Sequence, residues 1–229
     1  MPSKQILFWL GILVIFFVAV FAFTIQEKII PHDEAAPPQT LGYKRATTTY
    51  FWIGEGATPE NDFIQNSDSY WDDSWAEHFG GTDNPDCRNG FYPCGFTPKE
   101  NPFYFALPYG EFNDGAVKQS ARNIPWYTSD TLPLLKNTWI EIRYGKTTCY
   151  AQWEDVGPGE YDDFDYVFGS AENPLNTFGE QAGLDVSPAV RNCLALGDNE
   201  QTYWRFIDAS LVPDGPWKVI TTISGISWL

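Results

Sequence analysis

The pattern of apolar and polar positions divides the chain into three parts. Ile6–Ile25 is an unbroken stretch of 20 residues without a charge or a proline. At about 1.5 Å per residue such a helix covers roughly 30 Å, the thickness of a bilayer's hydrocarbon core. Lys4 and the α-amino group precede it, which places the N-terminus in the cytoplasm and everything after the stretch outside. The competing reading is a cleaved signal peptide; Ala19 and Ala22 come close to a small-residue cleavage site without forming a clean one. The stretch length favours an uncleaved anchor over residues 1–30. Pro31–Thr40 (PHDEAAPPQT) is polar and proline-rich, and reads as part of a tether over residues 31–45. A folded domain is expected over residues 46–229.

Within that domain the pattern turns β-like. Thr47–Ile53 (TTTYFWI) is β-branched and aromatic and stops at Gly54; Asn101–Leu107 (NPFYFAL) is a second run between prolines. Thr138–Tyr144 and Thr147–Trp153 flank Gly145-Lys146, a two-residue hairpin turn. Tyr203–Ile207 and Trp217–Ile223 complete the expected strands. One helix is clearly signposted: Ser187 is an N-cap, Pro188 stands at the first helical position, and Gly197 follows as a stop. Tyr70–Phe79 (YWDDSWAEHF), closed by Gly80-Gly81, is a weaker helical candidate. Short strands, few helices and frequent Gly and Pro predict a mainly β fold, a small closed or nearly closed barrel with short helices.

Charge and cysteine content narrow the function classes. The 229-residue chain carries 14 basic and 30 acidic side chains, a formal charge of −16. A phosphate backbone would be repelled, so nucleic acid is excluded as a partner. Anionic membrane surfaces and acidic polysaccharides are disfavoured for the same reason. The chain has 17 Phe, 12 Tyr and 10 Trp, and the 10 Trp imply a true core, a sticky ligand surface, or both. The four cysteines, Cys87, Cys94, Cys149 and Cys193, all follow the apolar stretch, and outside the cytoplasm an even count implies two disulfides. Of three possible pairings we expect Cys87–Cys94, close in sequence, and Cys149–Cys193, which flank one acidic segment. Zinc is the weaker alternative, since there is no C-x-x-C and the His residues are His32 and His78.

The acids are unevenly placed. Between Arg45 and Arg88, and again between Lys146 and Arg191, there is no Lys or Arg, and each gap holds nine Asp or Glu. Most belong on a solvated face. Where the two segments meet, however, carboxylates must converge, with raised pKa values or a bound cation as the relief. Asp162-Asp163-x-Asp165 resembles half of a calcium loop without its spacing. The chain has no nucleotide-binding fingerprint, metalloprotease motif or G-x-S-x-G elbow, and no metal or cofactor is expected.

Two segments carry a family resemblance. Tyr150–Pro158 (YAQWEDVGP) ends the hairpin, and Ala182–Val190 (AGLDVSPAV) enters the capped helix. A strand ending in Asp-x-Gly-Pro, then a loop, then Leu-Asp-x-Ser opening a helix, resembles the double-psi β-barrel of rare lipoprotein A, the expansins and the barwin-like endoglucanases. Ala106-Leu107-Pro108-Tyr109-Gly110 and Gly145-Lys146 fall in the order of the rare lipoprotein A pattern, and the likeness covers roughly residues 46–224. The chain also resembles a group of uncharacterised bacterial exported proteins, through Pro98–Tyr109 (PKENPFYFALPY) and Trp204–Trp217 (WRFIDASLVPDGPW).

The resemblance implies a six-stranded double-psi barrel facing polysaccharide or peptidoglycan. It places Asp185 where the endoglucanases have their general acid, with Asp155 as a further candidate. In a structural reading, Asp185 holds a loop–helix junction, favoured near a helix N-terminus by about 0.3–1 kcal/mol, and Asp155 a stiff turn. An inverting hydrolase needs a second carboxylate, which the endoglucanases supply in a Thr-x-Tyr-Trp-Asp pattern. Here Trp52 takes that place, with Glu55 and Asp62 nearby. The histidine that rare lipoprotein A carries before its Leu-Pro corresponds to Tyr104. Tyr50, Trp52, Tyr104 and Trp126 are candidate sugar-stacking residues, or else core. Three functions are therefore expected in turn: non-hydrolytic glycan binding or wall loosening, as in expansins; glycan cleavage of lytic or hydrolytic type with Asp185 as acid; and an envelope scaffold. Crowding by neighbouring acids is expected to raise the pKa of Asp185.

Overall fold

In a computed structural model, residues 42–61, 63–177 and 179–228 are described. The expected anchor (1–30), most of the tether and Asp62 lie outside these residues. Among the described residues no helix is long and apolar enough to cross a membrane.

Six strands close into one barrel: β1 (Lys44–Tyr50), β2 (Tyr104–Leu107), β3 (Trp139–Tyr144), β4 (Thr147–Val156), β5 (Ala182–Val186) and β6 (Glu200–Ile207). Around the barrel they run β1-β6-β3-β4-β2-β5 and back to β1. Two pairs, β1 with β5 and β2 with β4, are parallel, and the other neighbours are antiparallel. Closure removes the exposed edges that strands this short would otherwise present to other chains. Tyr144 pairs with Thr147 across Gly145-Lys146, so the two-residue turn forms as expected, with Gly145 at φ 57.

The barrel interior is aromatic. Trp153 packs against Phe105 (5.7 Å between centroids) and Phe206 (5.8 Å), while Trp71 meets it edge-on at 6.2 Å. Phe105, Leu107, Leu184, Val186, Trp204 and Phe206 belong to the same buried cluster. A smaller cluster, on the other face of β2, joins Tyr104 and Ala106 to Phe51, Ile53, Trp75 and Phe79. Two faces of one strand thus serve two apolar layers, by the period-two alternation of β structure.

Among the described residues, three short helices decorate the barrel: α1 (Trp75–Phe79), α2 (Phe164–Phe168) and α3 (Pro188–Leu194). Ser187 caps α3 through its side chain, which accepts from Val190 N–H at 3.2 Å. The helix ends on Ala195 in the left-handed region rather than continuing to Gly197. Only the last half of the expected Tyr70–Phe79 helix forms. Its first residues are drawn away, because Tyr70 N–H donates to Asp155 and Asp72 accepts from Ser74 N–H.

Cys87 is joined to Cys94 and Cys149 to Cys193, the pairing expected, and the second disulfide ties β4 to α3. Two disulfides point to an oxidising, extracytoplasmic environment.

One strand expected in the barrel is not there, and one unexpected strand completes it. Trp217–Ile223 begins with a 3-10 turn at Pro216–Lys218 and continues without regular structure. Side chains take the place of a neighbouring strand: Gln152 both accepts from Thr222 N–H and donates to Thr222 C=O, and Asn101 N–H donates to Thr222 Oγ1. The sixth strand is Ala182–Val186, which pairs on both sides.

Candidate functional site

Each parallel pair contains one β-bulge, and each bulge lies in the strand that supplies an aspartate. Between β2 and β4, Phe105 faces Trp153 but Ala106 faces Asp155, so Glu154 is the extra residue. Under strict alternation Asp155 would lie on the same face as Trp153, toward the core; the bulge turns it onto the face of Ala106. Between β1 and β5, Thr47 faces Ala182 and Thr48 faces Leu184, leaving Gly183 unpaired. A Cβ at Gly183 would lie 2.2 Å from the Tyr166 hydroxyl, so only glycine fits there.

The registers then line up one row across four strands. Thr49 pairs with Asp185, Asp185 with Ala106, and Ala106 with Asp155. Directly paired residues share a face, so the two aspartates stand on either side of a small alanine. Two strand spacings put their Cα atoms about 10 Å apart.

This row is part of the lining of a cleft of about 580 Å³. Glu55, Asn66 and Asp68 line it from the segment after β1, and Pro158, Gly159 and Tyr161 from the segment after β4. The two base-free segments of the sequence do meet, and they bring together Glu55 and Asp68 from one with Asp155 and Asp185 from the other. Among the described residues, those lining the cleft include neither Lys nor Arg.

The carboxylates are individually anchored. Asp185 Oδ1 accepts from Thr49 Oγ1. Asp155 Oδ1 accepts from the backbone N–H groups of Tyr70 and Val156, both at 2.8 Å, and so pins the loop before α1 to the barrel. Glu55 Oε2 accepts from Asn66 Nδ2 at 2.8 Å. Burial pushes the Asp155 carboxyl up to about 7 against its two backbone hydrogen bonds, with Asp185 and Asp68 adding repulsion. Burial likewise pushes Asp185 up to about 6, against its bond from Thr49 and with repulsion from Glu55. The rise expected for Asp185 is present, but loss of solvent is its leading cause and crowding the smaller one.

The expected sugar-contact residues separate. Tyr50 lines the cleft, and its ring carries the Arg191 guanidinium at 3.9 Å and Trp52 at 5.9 Å. Trp52 is not part of the cleft lining. Tyr104 is fully buried, its hydroxyl donating to Asp83 and accepting from Ile53 N–H. Trp126 packs on Phe168 and Phe206, with its indole N–H donated to Leu134 C=O. These two are core residues because strand alternation and the chain's return turn them inward.

In their place the cleft has Tyr70 and Tyr161, stacked at 6.4 Å and 29°, which the sequence reading did not single out. Their signal was faint: Gly110, in the Leu-Pro-Tyr-Gly run, sits where a Cβ would fall 2.3 Å from the Tyr70 ring. The Asp162-Asp163-x-Asp165 cluster is committed to local structure. Asp163 caps α2 by accepting from Tyr166 N–H, Asp165 accepts from Ser170 N–H, and Asp162 pairs with Lys118.

No protein-family model matches this chain, and none of the curated proteins matches it.

Proposed function

We propose that this protein is an extracytoplasmic, cell-wall-modifying barrel of the double-psi type, anchored to the membrane through residues 1–30, whose cleft binds a polysaccharide or peptidoglycan chain. Asp155 and Asp185 are its acid–base pair. One observation carries the reading: the two aspartates share a face on either side of Ala106, inside a cleft with no Lys or Arg among its described lining residues. The mixed six-strand closure, the bulge in each parallel pair and the Asp-x-Gly-Pro turn support the double-psi assignment.

The chemistry follows from the order of the two pKa values. Near pH 6.5 the pair holds about one proton, mostly on Asp155, and Asp185 is the more ionised of the two. Asp155 therefore donates to the glycosidic oxygen as the C–O bond breaks. Asp185 accepts a proton from the attacking group, a water in hydrolysis or the sugar's own hydroxyl in a lytic reaction. This exchanges the roles that the family resemblance implies. A Cα separation of about 10 Å suits the carboxyl spacing of roughly 6.5–9.5 Å used by inverting enzymes better than the ~5 Å of retaining ones.

A non-cleaving, expansin-like role is the second reading, favoured by the structural bonds that Asp155 and Asp185 already make to Tyr70, Val156 and Thr49. The experiment is incubation of the protein with peptidoglycan sacculi and with β-glucan, with product analysis by mass spectrometry alongside a pull-down. Cleavage is expected, with a bell-shaped pH profile centred between about 6 and 7. Asp185→Asn should lower it by roughly 100-fold or more while leaving the fold intact. Retention on a glycan without products would assign the non-cleaving role; retention on neither would refute both readings and leave the scaffold.

A further inference from the structure

The two ends of the cleft differ in what they offer a sugar ring. At the Asp185 end, Tyr50 already carries Arg191 and Trp52 on its ring. At the Asp155 end, Tyr161 is 54% exposed and is backed by Tyr70. Tyr70 is itself immobilised. Its hydroxyl donates to Phe112 C=O and accepts from Phe112 N–H, its ring lies 4.3 Å from that of Phe112, and its N–H is bonded to Asp155. A rigidly backed, open aromatic face next to the proposed acid is thus built into the fold.

Charge gives the second constraint. Glu55, Asp68, Asp155 and Asp185 face the cleft with no Lys or Arg among its described lining residues, and the groups that bind Glu55, Asp155 and Asp185 are a hydroxyl, an amide and backbone N–H. A ligand carboxylate brought into this space meets Asp185 and the other acids with no Lys or Arg among the described lining residues, while Asp155 carries most of the pair's proton; the partly dry surroundings strengthen the repulsion. A ligand ammonium instead supplies the charge that the protein leaves out.

We infer that the cleft selects a glycan free of carboxylates, prefers one bearing free amino groups, and stacks a sugar ring on Tyr161 at the Asp155 side. This rests on the glycan reading above and narrows it to amino-bearing or neutral chains over uronic-acid ones. The offset face of a tyrosine takes the apolar face of a pyranose, and the ring itself, not the hydroxyl, makes the contact.

The test is calorimetric titration of the full-length protein at pH 6.5 with three hexasaccharides, of glucosamine, N-acetylglucosamine and galacturonate. The glucosamine hexamer is expected to bind roughly tenfold more tightly than the N-acetyl hexamer at low salt, and the advantage to shrink toward unity near 1 M salt, where the Debye length is about 3 Å. The galacturonate hexamer is expected not to bind. Tyr161→Ala should weaken the two binders about tenfold, whereas Tyr161→Phe should leave both unchanged. Galacturonate binding as tight as the others overturns the inference but leaves the glycan reading standing. Unaltered affinity in Tyr161→Ala overturns the stacking platform. A protein that binds none of the three overturns the inference, and sacculus and β-glucan binding then decides separately whether the glycan reading survives.

Discussion

Glu154 and Asp155 are neighbours in sequence and opposites in setting. The bulge that sends Asp155 to the cleft sends Glu154 inward, where it is almost fully buried, 3.4 Å from Lys136. Lys136 also donates to Ser224 Oγ and C=O, and Ser224 Oγ donates to Glu100. This polar cluster fastens the C-terminal segment to the barrel. Burial raises the carboxyl pKa in both places, with Lys136 offsetting part of the rise at Glu154. Burial alone therefore does not mark a functional acid. The difference lies in partners and access: Glu154 has a buried cation and no route to a ligand, whereas Asp155 has backbone donors on one oxygen and an open cleft before it.

Lys136→Met should break the comparison most strongly. It strips Glu154 of its cation and the C-terminal segment of two hydrogen bonds, at a cost of roughly 3–5 kcal/mol. Urea melts should show a smaller loss at pH 5 than at pH 8, because Glu154 can then be neutral in the fold. Glycan retention by the folded fraction should be unchanged; equal losses at both pH values would mean that Glu154 is not the group left exposed.

The next effect is the pH dependence of stability. Asp155, Asp185 and Glu154 are all held above their ordinary values, so the native state keeps protons that the unfolded chain releases. Their contribution is complete below the ordinary carboxylate range. It declines as pH rises through about 6 for Asp185 and about 7 for Asp155, and further for Glu154. With each unit of rise worth about 1.4 kcal/mol, stability should fall by several kcal/mol between pH 4 and pH 8, read as a clearly lower melting temperature. A melting temperature that rises over that range would contradict the burial assigned to these groups.

The smallest effect separates the sites most sharply. Asp155→Asn keeps an acceptor for Tyr70 and Val156 N–H while removing a charge that the fold disfavours. It should stabilise the protein by about 1 kcal/mol at pH 8, leave stability unchanged at pH 4, and abolish cleavage. Destabilisation at both pH values would make Asp155 a purely structural turn residue.

Features set by near neighbours were readable along the chain. The Gly145-Lys146 hairpin, the Ser187-Pro188 helix start and both disulfide partnerships follow from turn chemistry, capping and cysteine placement, each acting over short distances or few alternatives. The two base-free acidic segments signalled that carboxylates would converge. Asp155 and Asp185 were both visible as candidates, although not as a pair.

Register was not readable, because it depends on which strands meet and where each one slips. The bulges at Glu154 and Gly183 decide that Asp155 and Asp185 share a face, and a shift of one residue would have buried either one. The same non-local closure turned Tyr104 and Trp126 into the core and left Tyr161 open beside Tyr70. It also seated Thr222 on Gln152 and Asn101 in place of a strand partner, so that β-branched Trp217–Ile223 forms no strand while glycine-bearing Ala182–Val186 does. The sequence by itself determined five of the six barrel strands, the punctuation between them and the stock of acids and aromatics. Only the tertiary structure decided which of those side chains face one another, since pairing across a closed barrel is chosen by the packing of all six strands together.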